Sequence, residues 1–164
     1  MIDMKDQHSQ KGHDHAACVA AALERAETVC LSRGGRLTPI RRRVLELVWR
    51  DHSPVKAYDL LETMRDEGWS SAPSLVYRAL AFLDGMGLVH HLASLNAYIG
   101  CRRGGEIHSA QFFVCDRCGA VSEIDDDRVE TSIRAAAERA GFTAEVPVVE
   151  IRGTCTPCRE RALA

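Results

Sequence analysis

The sequence predicts an α+β chain in two parts: a helical N-terminal part closed by a β-hairpin, and a smaller C-terminal α/β part tied together by a metal. Three observations predict it. Apolar residues recur at helical spacing up to about residue 85, and two short β-prone runs follow. The second half carries two Cys-x-x-Cys pairs, Cys115/Cys118 and Cys155/Cys158. Charge is segregated between the halves, with six arginines against one glutamate over 33–50 and six acids against two arginines over 116–130.

The 164 residues suffice for one domain or two small ones. With 46% hydrophobic and 27% charged residues, wholesale disorder is excluded. No apolar run approaches the ~18 residues of a membrane span. The first thirty residues lack the basic start and apolar core of a signal peptide. A soluble cytoplasmic protein is expected. The net charge of −2 decides little about partners, because the local charges oppose one another.

Residues 1–17 are polar and without periodicity, and read as a frayed tail. His8, His13, His15 and Cys18 could bind metal there, although such a tail is usually just solvated. From Cys18 to Ser32, Val19, Ala22, Leu23, Ala26 and Val29 form a helical stripe, Cys30 falls near its buried side, and Gly34-Gly35 ends it. Thr38 and Pro39 read as N-cap and first position of a second helix. Its apolar face is Ile40, Val44, Leu47 and Val48, with Arg41, Arg42 and Arg43 on its first turns. A third helix is expected over Ala57–Glu67 and a fourth over Pro73–Gly85, the latter with Leu75, Val76, Ala79, Leu80 and Leu83 inward. Trp49 and Trp69 are expected to pack at helix ends. Leu88–Leu92 and Ala97–Cys101 read as a hairpin.

Helices followed by a hairpin are the order of a winged helix-turn-helix, over residues 18–99. The fourth helix would then enter the major groove of double-stranded DNA, presenting Ser74, Tyr77 and Arg78. Arg78 is the best single base or phosphate contact, because a guanidinium pairs bidentately with guanine or phosphate. Tyr58 could donate to a phosphate, and Arg36 and Arg41 belong to the basic stretch beside it. The competing reading is a small helical domain with a solvated Arg-rich face.

Gly100–Gly105 is rich in Gly and Arg and reads as a hinge, followed by a second domain over 106–164. Strands are expected at Gln111–Val114 and Ala120–Ile124. A helix follows, its acidic start at Asp125-Asp126-Asp127 and its stripe Val129, Ile133, Ala136, Ala137 and Ala140. Thr143–Arg152 reads as a strand, and Pro147 suggests an edge or bulge. A unit of about 60 residues with so few large apolar side chains has a thin core, so it should lean on metal and on dimerisation. One Cys-x-x-Cys can be a redox dithiol. Two of them with reduced thiols read as a tetrahedral zinc site of Cys115, Cys118, Cys155 and Cys158. The 36 intervening residues exceed a simple zinc ribbon, so a small α/β unit must lie between the knuckles.

Arg36-Leu37-Thr38-Pro39, Val76-Tyr77-Arg78-Ala79-Leu80, Gly87-Leu88-Val89-His90 and Phe113-Val114-Cys115-x-x-Cys118-Gly119 together resemble the ferric uptake regulator (Fur) superfamily, over residues 19–160. Within it, Ser94-Leu95-Asn96-Ala97-Tyr98 followed by Cys101 is most similar to the zinc uptake regulators (Zur). The His-rich strand of iron-sensing members is absent, and Glu106–Gln111 stands in its place. The resemblance implies a cytoplasmic homodimer with a winged helix for operator DNA, a C-terminal dimerisation domain, and two Zn²⁺ per chain. The cysteine quartet matches the structural zinc. His90, Cys101, His108 and Glu123 match the regulatory zinc, with His91 as an alternative to His90. One thiolate, two imidazoles and a carboxylate also form a complete tetrahedral zinc set on chemical grounds.

Such an ion would join the DNA part, the hinge and the dimer part. It would stabilise the spacing that fits two major grooves ~34 Å apart. The implied output is repression of zinc-uptake genes. Glu62 and Arg65 match positions of a dimer–dimer salt bridge on DNA, or form an ordinary i,i+3 surface pair. The alternatives are an iron, manganese or redox/peroxide sensor on the same fold, and a zinc-dependent enzyme. The sequence carries no nucleophile–base–orienter set and no phosphate-cradling glycine loop, so no catalysis and no small-molecule substrate are expected.

Overall fold

The computed structural model describes residues 15–51, 53–69, 72–106 and 108–162. His8 and His13 lie outside them. The chain divides into two compact units, the first ending at Glu106.

The first unit is built from α1 (His15–Ser32), α2 (Pro39–Trp49), α3 (Ala57–Asp66) and α4 (Pro73–Gly85), followed by the antiparallel pair β1 (Val89–Leu92) and β2 (Ala97–Gly100). The helix α1 begins at His15, so residues 15–17 are helical where a frayed tail was expected. The residue Thr38 takes the N-cap position of α2, but its side chain makes no cap bond. Pro39 starts the helix by its fixed φ alone. The core joins Ala26 and Cys30 of α1, Val44 and Val48 of α2, Leu60 and Met64 of α3, and Val76, Leu80 and Leu83 of α4. Leu75 is not part of it: 39% of its surface is open. Trp49 is buried as expected, whereas Trp69 is 36% exposed. Sequence periodicity also missed a third wing element, in which Val55 bridges Tyr98 through two backbone bonds of 2.9 and 2.8 Å.

The second unit holds β3 (Ala110–Cys115), β4 (Val121–Ile124), α5 (Asp127–Arg139), β5 (Val148–Gly153) and the short α6 (Thr156–Glu160). The sheet order is β4-β3-β5, with β3/β4 antiparallel and β3/β5 parallel. β5 starts just after Pro147 and lies at the edge, where a residue without an N–H is tolerated. Phe112 and Val114 are buried, yet no residue of α5 is, although Val129, Ile133 and Ala137 share one of its faces. The expected helical stripe is therefore half-covered at best within one chain. Phe142, Val146, Val148 and Ile151 are exposed in the same unit.

Asp126 caps α5, accepting the Arg128 N–H at 2.9 Å and the Arg128 guanidinium at 2.7 Å. These bonds hold its carboxyl down at about 2, below the usual range. A depressed folded pKa contributes stability above the unfolded pKa near ~3.9 and loses it as pH falls toward 2. D126N is therefore expected to flatten the acid limb of the stability profile between pH 4 and pH 2, read by urea midpoints along a pH series. An unchanged limb would remove the cap from the account.

Candidate metal centres and nucleic-acid interface

The cysteine quartet forms where three elements end. Cys115 is the last residue of β3, Cys118 sits in the turn to β4, Cys155 caps α6 and Cys158 lies within it. Gly119, at φ +70°, makes the knuckle turn possible, and its N–H bonds to Cys115 O at 2.9 Å. All four sulfurs lie within 4.8 Å of one another, and the Cys118 and Cys155 Sγ atoms are 3.7 Å apart. Tetrahedral zinc with Zn–S bonds of ~2.3 Å spaces its sulfurs ~3.8 Å apart, so the quartet fits that ion.

The local electrostatics favour a cation. Backbone N–H groups of Cys155, Cys118 and Arg117 point at the Cys115 sulfur and lower its thiol to about 6. Burial and the neighbouring sulfurs push Cys158 up to about 12. Four clustered thiols cannot all ionise unless a positive ion compensates them. Arg161 donates to Cys158 Sγ at 3.5 Å and adds positive charge at the rim.

The other four predicted ligands form two pairs, one in each unit. In the first unit, His90 (6% exposed) and Cys101 (1%) bring a ring nitrogen and a sulfur within 4.8 Å. β1 alternates, so His91 points to its opposite, exposed side, where its ring lies 4.8 Å from that of Tyr98. In the second unit, His108 Nε2 stands 3.6 Å from a Glu123 carboxylate oxygen. That is close to the ~3.4 Å separation of nitrogen and oxygen ligands on one tetrahedral zinc ion.

Ser74, Tyr77 and Arg78 are all exposed on α4, off the stripe of Val76, Ala79, Leu80 and Leu83. Leu75 joins them on the first turn. Its apolar type hid it among the core residues, and only its place, about 100° from Val76 around the helix, could have signalled otherwise.

The basic stretch fares differently from its sequence reading. The Arg41 guanidinium lies 3.4 Å from the Phe82 ring centroid and donates to Arg36 O at 2.6 Å. Arg42 pairs with Glu27, and Arg43 with Glu67 and Glu46. Arg33 donates to two backbone carbonyls. Much of the local positive charge thus holds helices together, while Arg36 remains exposed. Glu67, paired with Arg43, has its carboxyl lowered by that bond. Tyr58 is 61% exposed and its hydroxyl bonds to Glu62, which raises its pKa. Glu62 therefore bonds along α3 to Tyr58, and no ion pair with Arg65 is found among the described residues.

Comparison with known proteins follows the same lines. The ferric uptake regulator family model matches residues 32–152. The zinc uptake regulation protein of Escherichia coli strain K12 is 40% identical over 139 residues, covering 84% of this chain and 81% of that protein. Its namesake from Mycobacterium tuberculosis strain H37Rv is 33% identical over 103 residues, covering 63% and 78%. A solved structure of a zinc uptake regulator complexed with zinc and DNA matches with a TM-score of 0.81 at 37% identity, over 89% of this chain and 98% of that one. The four-helix unit with its hairpin, the cysteine quartet and a match over most of the sequence make this chain a member of the ferric uptake regulator family.

Proposed function

We propose that this chain is a zinc-responsive transcriptional repressor that acts as a homodimer in the cytoplasm on operator DNA of zinc-uptake genes. The observation that carries the reading is the preformed, buried His90/Cys101 pair within the DNA-reading unit. A buried thiolate and imidazole suit zinc better than the harder iron(II) or manganese(II). His108 and Glu123 supply the other two ligands of the same ion, and the cysteine quartet holds a second, structural zinc. One ion held by both units sets their spacing, so occupancy biases the dimer toward the form that fits two successive major grooves. The exposed Phe142, Val146, Val148 and Ile151, together with an α5 without buried residues, leave this unit with uncovered apolar side chains that support a second copy as their cover. No helix among the described residues is long and apolar enough to cross a membrane.

On α4, Arg78, Tyr77 and Ser74 read the groove, and Tyr58 at the start of α3 exchanges its Glu62 bond for a phosphate. An operator shift assay in buffered Zn²⁺, Fe²⁺ and Mn²⁺ tests the reading. Binding driven at the lowest free zinc supports it, and a response to iron or manganese alone overturns zinc as the signal. R78A is expected to weaken operator binding by about 1–3 kcal/mol, roughly five- to 150-fold, with zinc content unchanged. Intact binding would remove Arg78 from the groove.

A further inference from the structure

We infer that Arg25 of α1 and Arg33, the residue just past its end, are positioning residues for the regulatory cysteine: they strap the 101–106 loop to the DNA-reading unit and so hold Cys101 against His90. This rests on the reading of His90 and Cys101 as zinc ligands. The loop was expected to be a hinge, yet it is bound into the first unit along its length. The Cys101 N–H donates to Leu88 O at 3.0 Å, and the Gly105 N–H to Gly87 O at 3.1 Å. Arg33 spans both ends of the hairpin, donating to Met86 O at 3.1 Å and to Gly105 O. Arg25, two helical turns earlier, donates to Arg102 O at 3.1 Å.

Packing closes the strap. Gly105 has a φ of +90°, and a Cβ there would stand 2.3 Å from Val29 Cγ2. At the other end, a Cβ on Gly100 would stand 2.4 Å from the Trp49 indole. Helix α1 and the turn after it are thus fastened to the segment that carries Cys101, and Arg25 and Arg33 face carbonyls where a hinge would need freedom.

The physical consequence is preorganisation. A cysteine on a free loop must lose its chain entropy when the ion binds, and that cost comes out of the affinity. A planar guanidinium bridging two carbonyls removes that cost in advance, and a fork of fixed geometry does so more firmly than an ammonium. Groups that orient metal ligands are worth about 10–100-fold in affinity when removed.

The full-length R33Q chain, titrated with zinc against a chromophoric chelator, decides it. The expected result is a second zinc equivalent weakened about tenfold, with the first equivalent unchanged. Zinc-poor R33Q is also expected to alkylate Cys101 faster than the parent, and to recover the parent's operator binding at saturating zinc. An unchanged affinity of the second equivalent overturns the proposal, even if the loop has loosened and Cys101 reacts faster. Should R33Q lose the first equivalent or its helix content, R25Q, which removes only the bond to Arg102 O, carries the same comparison. For that variant a weakened second equivalent supports the strap and an unchanged one overturns it. C101S separates the two layers: if it keeps the second equivalent at full affinity, the ligand assignment itself fails, independently of the strap.

Discussion

Replacing Cys155 with serine is expected to unfold the C-terminal unit and with it the dimer. Its sulfur stands 3.7 Å from that of Cys118, and its N–H bonds to the Cys115 sulfur at 3.4 Å. Loss of one thiolate leaves a three-sulfur set around an ion that requires four ligands. The unit has little else to fall back on. Its buried side chains are few, and no residue of α5 is among them. Structural zinc in small domains contributes on the order of 10–16 kcal/mol of apparent binding energy near pH 7, and an ion in this quartet would tie β3, the knuckle turn and α6 together. The measurement is circular dichroism with size exclusion, run beside the parent treated with a strong chelator. Both samples should lose the β-rich signal and the dimer, while the helices of the first unit persist. A folded, dimeric C155S chain would end the structural role. Zinc loading should also weaken as pH falls: Cys158 is pushed up to about 12 by burial and its sulfur neighbours, so the ion must displace protons to bind.

The second large effect is expected from C101S. The dimer should remain folded with one zinc per chain, and operator binding should no longer respond to added zinc. Serine keeps the size but offers a neutral hydroxyl, a far poorer ligand for a borderline-soft ion than a thiolate. Moving a two-state equilibrium from mostly open to mostly closed takes a differential affinity of about 10⁴-fold. A site stripped of its one thiolate falls short of that. Metal analysis and a zinc-buffered operator shift read the two halves of the prediction separately. A C101S dimer that still binds DNA in proportion to free zinc would take Cys101 out of the switch.

A smaller change tests the packing beneath it. G100A places a methyl group 2.4 Å from the Trp49 indole, so either the ring or β2 must move. The expected cost is about 1–3 kcal/mol in urea unfolding, as for other overpacked cores, with weaker second-site zinc binding because Cys101 is the next residue. A melt and a zinc titration both equal to the parent's would show that the indole yields freely.

Much was legible in the linear chain because it depended on local rules. The spans Pro39–Trp49 and Pro73–Gly85 follow from prolines that suit a first turn and apolar residues three and four apart. The hairpin and the edge position of β5 follow from β-prone runs and from Pro147. The cysteine quartet was readable because two Cys-x-x-Cys turns each preset two ligands, leaving one long-range closure to complete the set. What failed did so for want of a third dimension. Six arginines over 33–50 look like a DNA footprint in a charge count, but Glu27 and Glu67 reach Arg42 and Arg43 from other parts of the chain, and Glu46 pairs with Arg43 from within the stretch. Leu75 looks like core because hydrophobicity carries no direction, and the stripe on α4 leaves it outside. Residue type therefore determined which ligands, helices and strands this chain possesses. Only tertiary contacts decided which charges remain available and whether a glycine-rich loop is loose or strapped, since both depend on neighbours that lie far away along the chain.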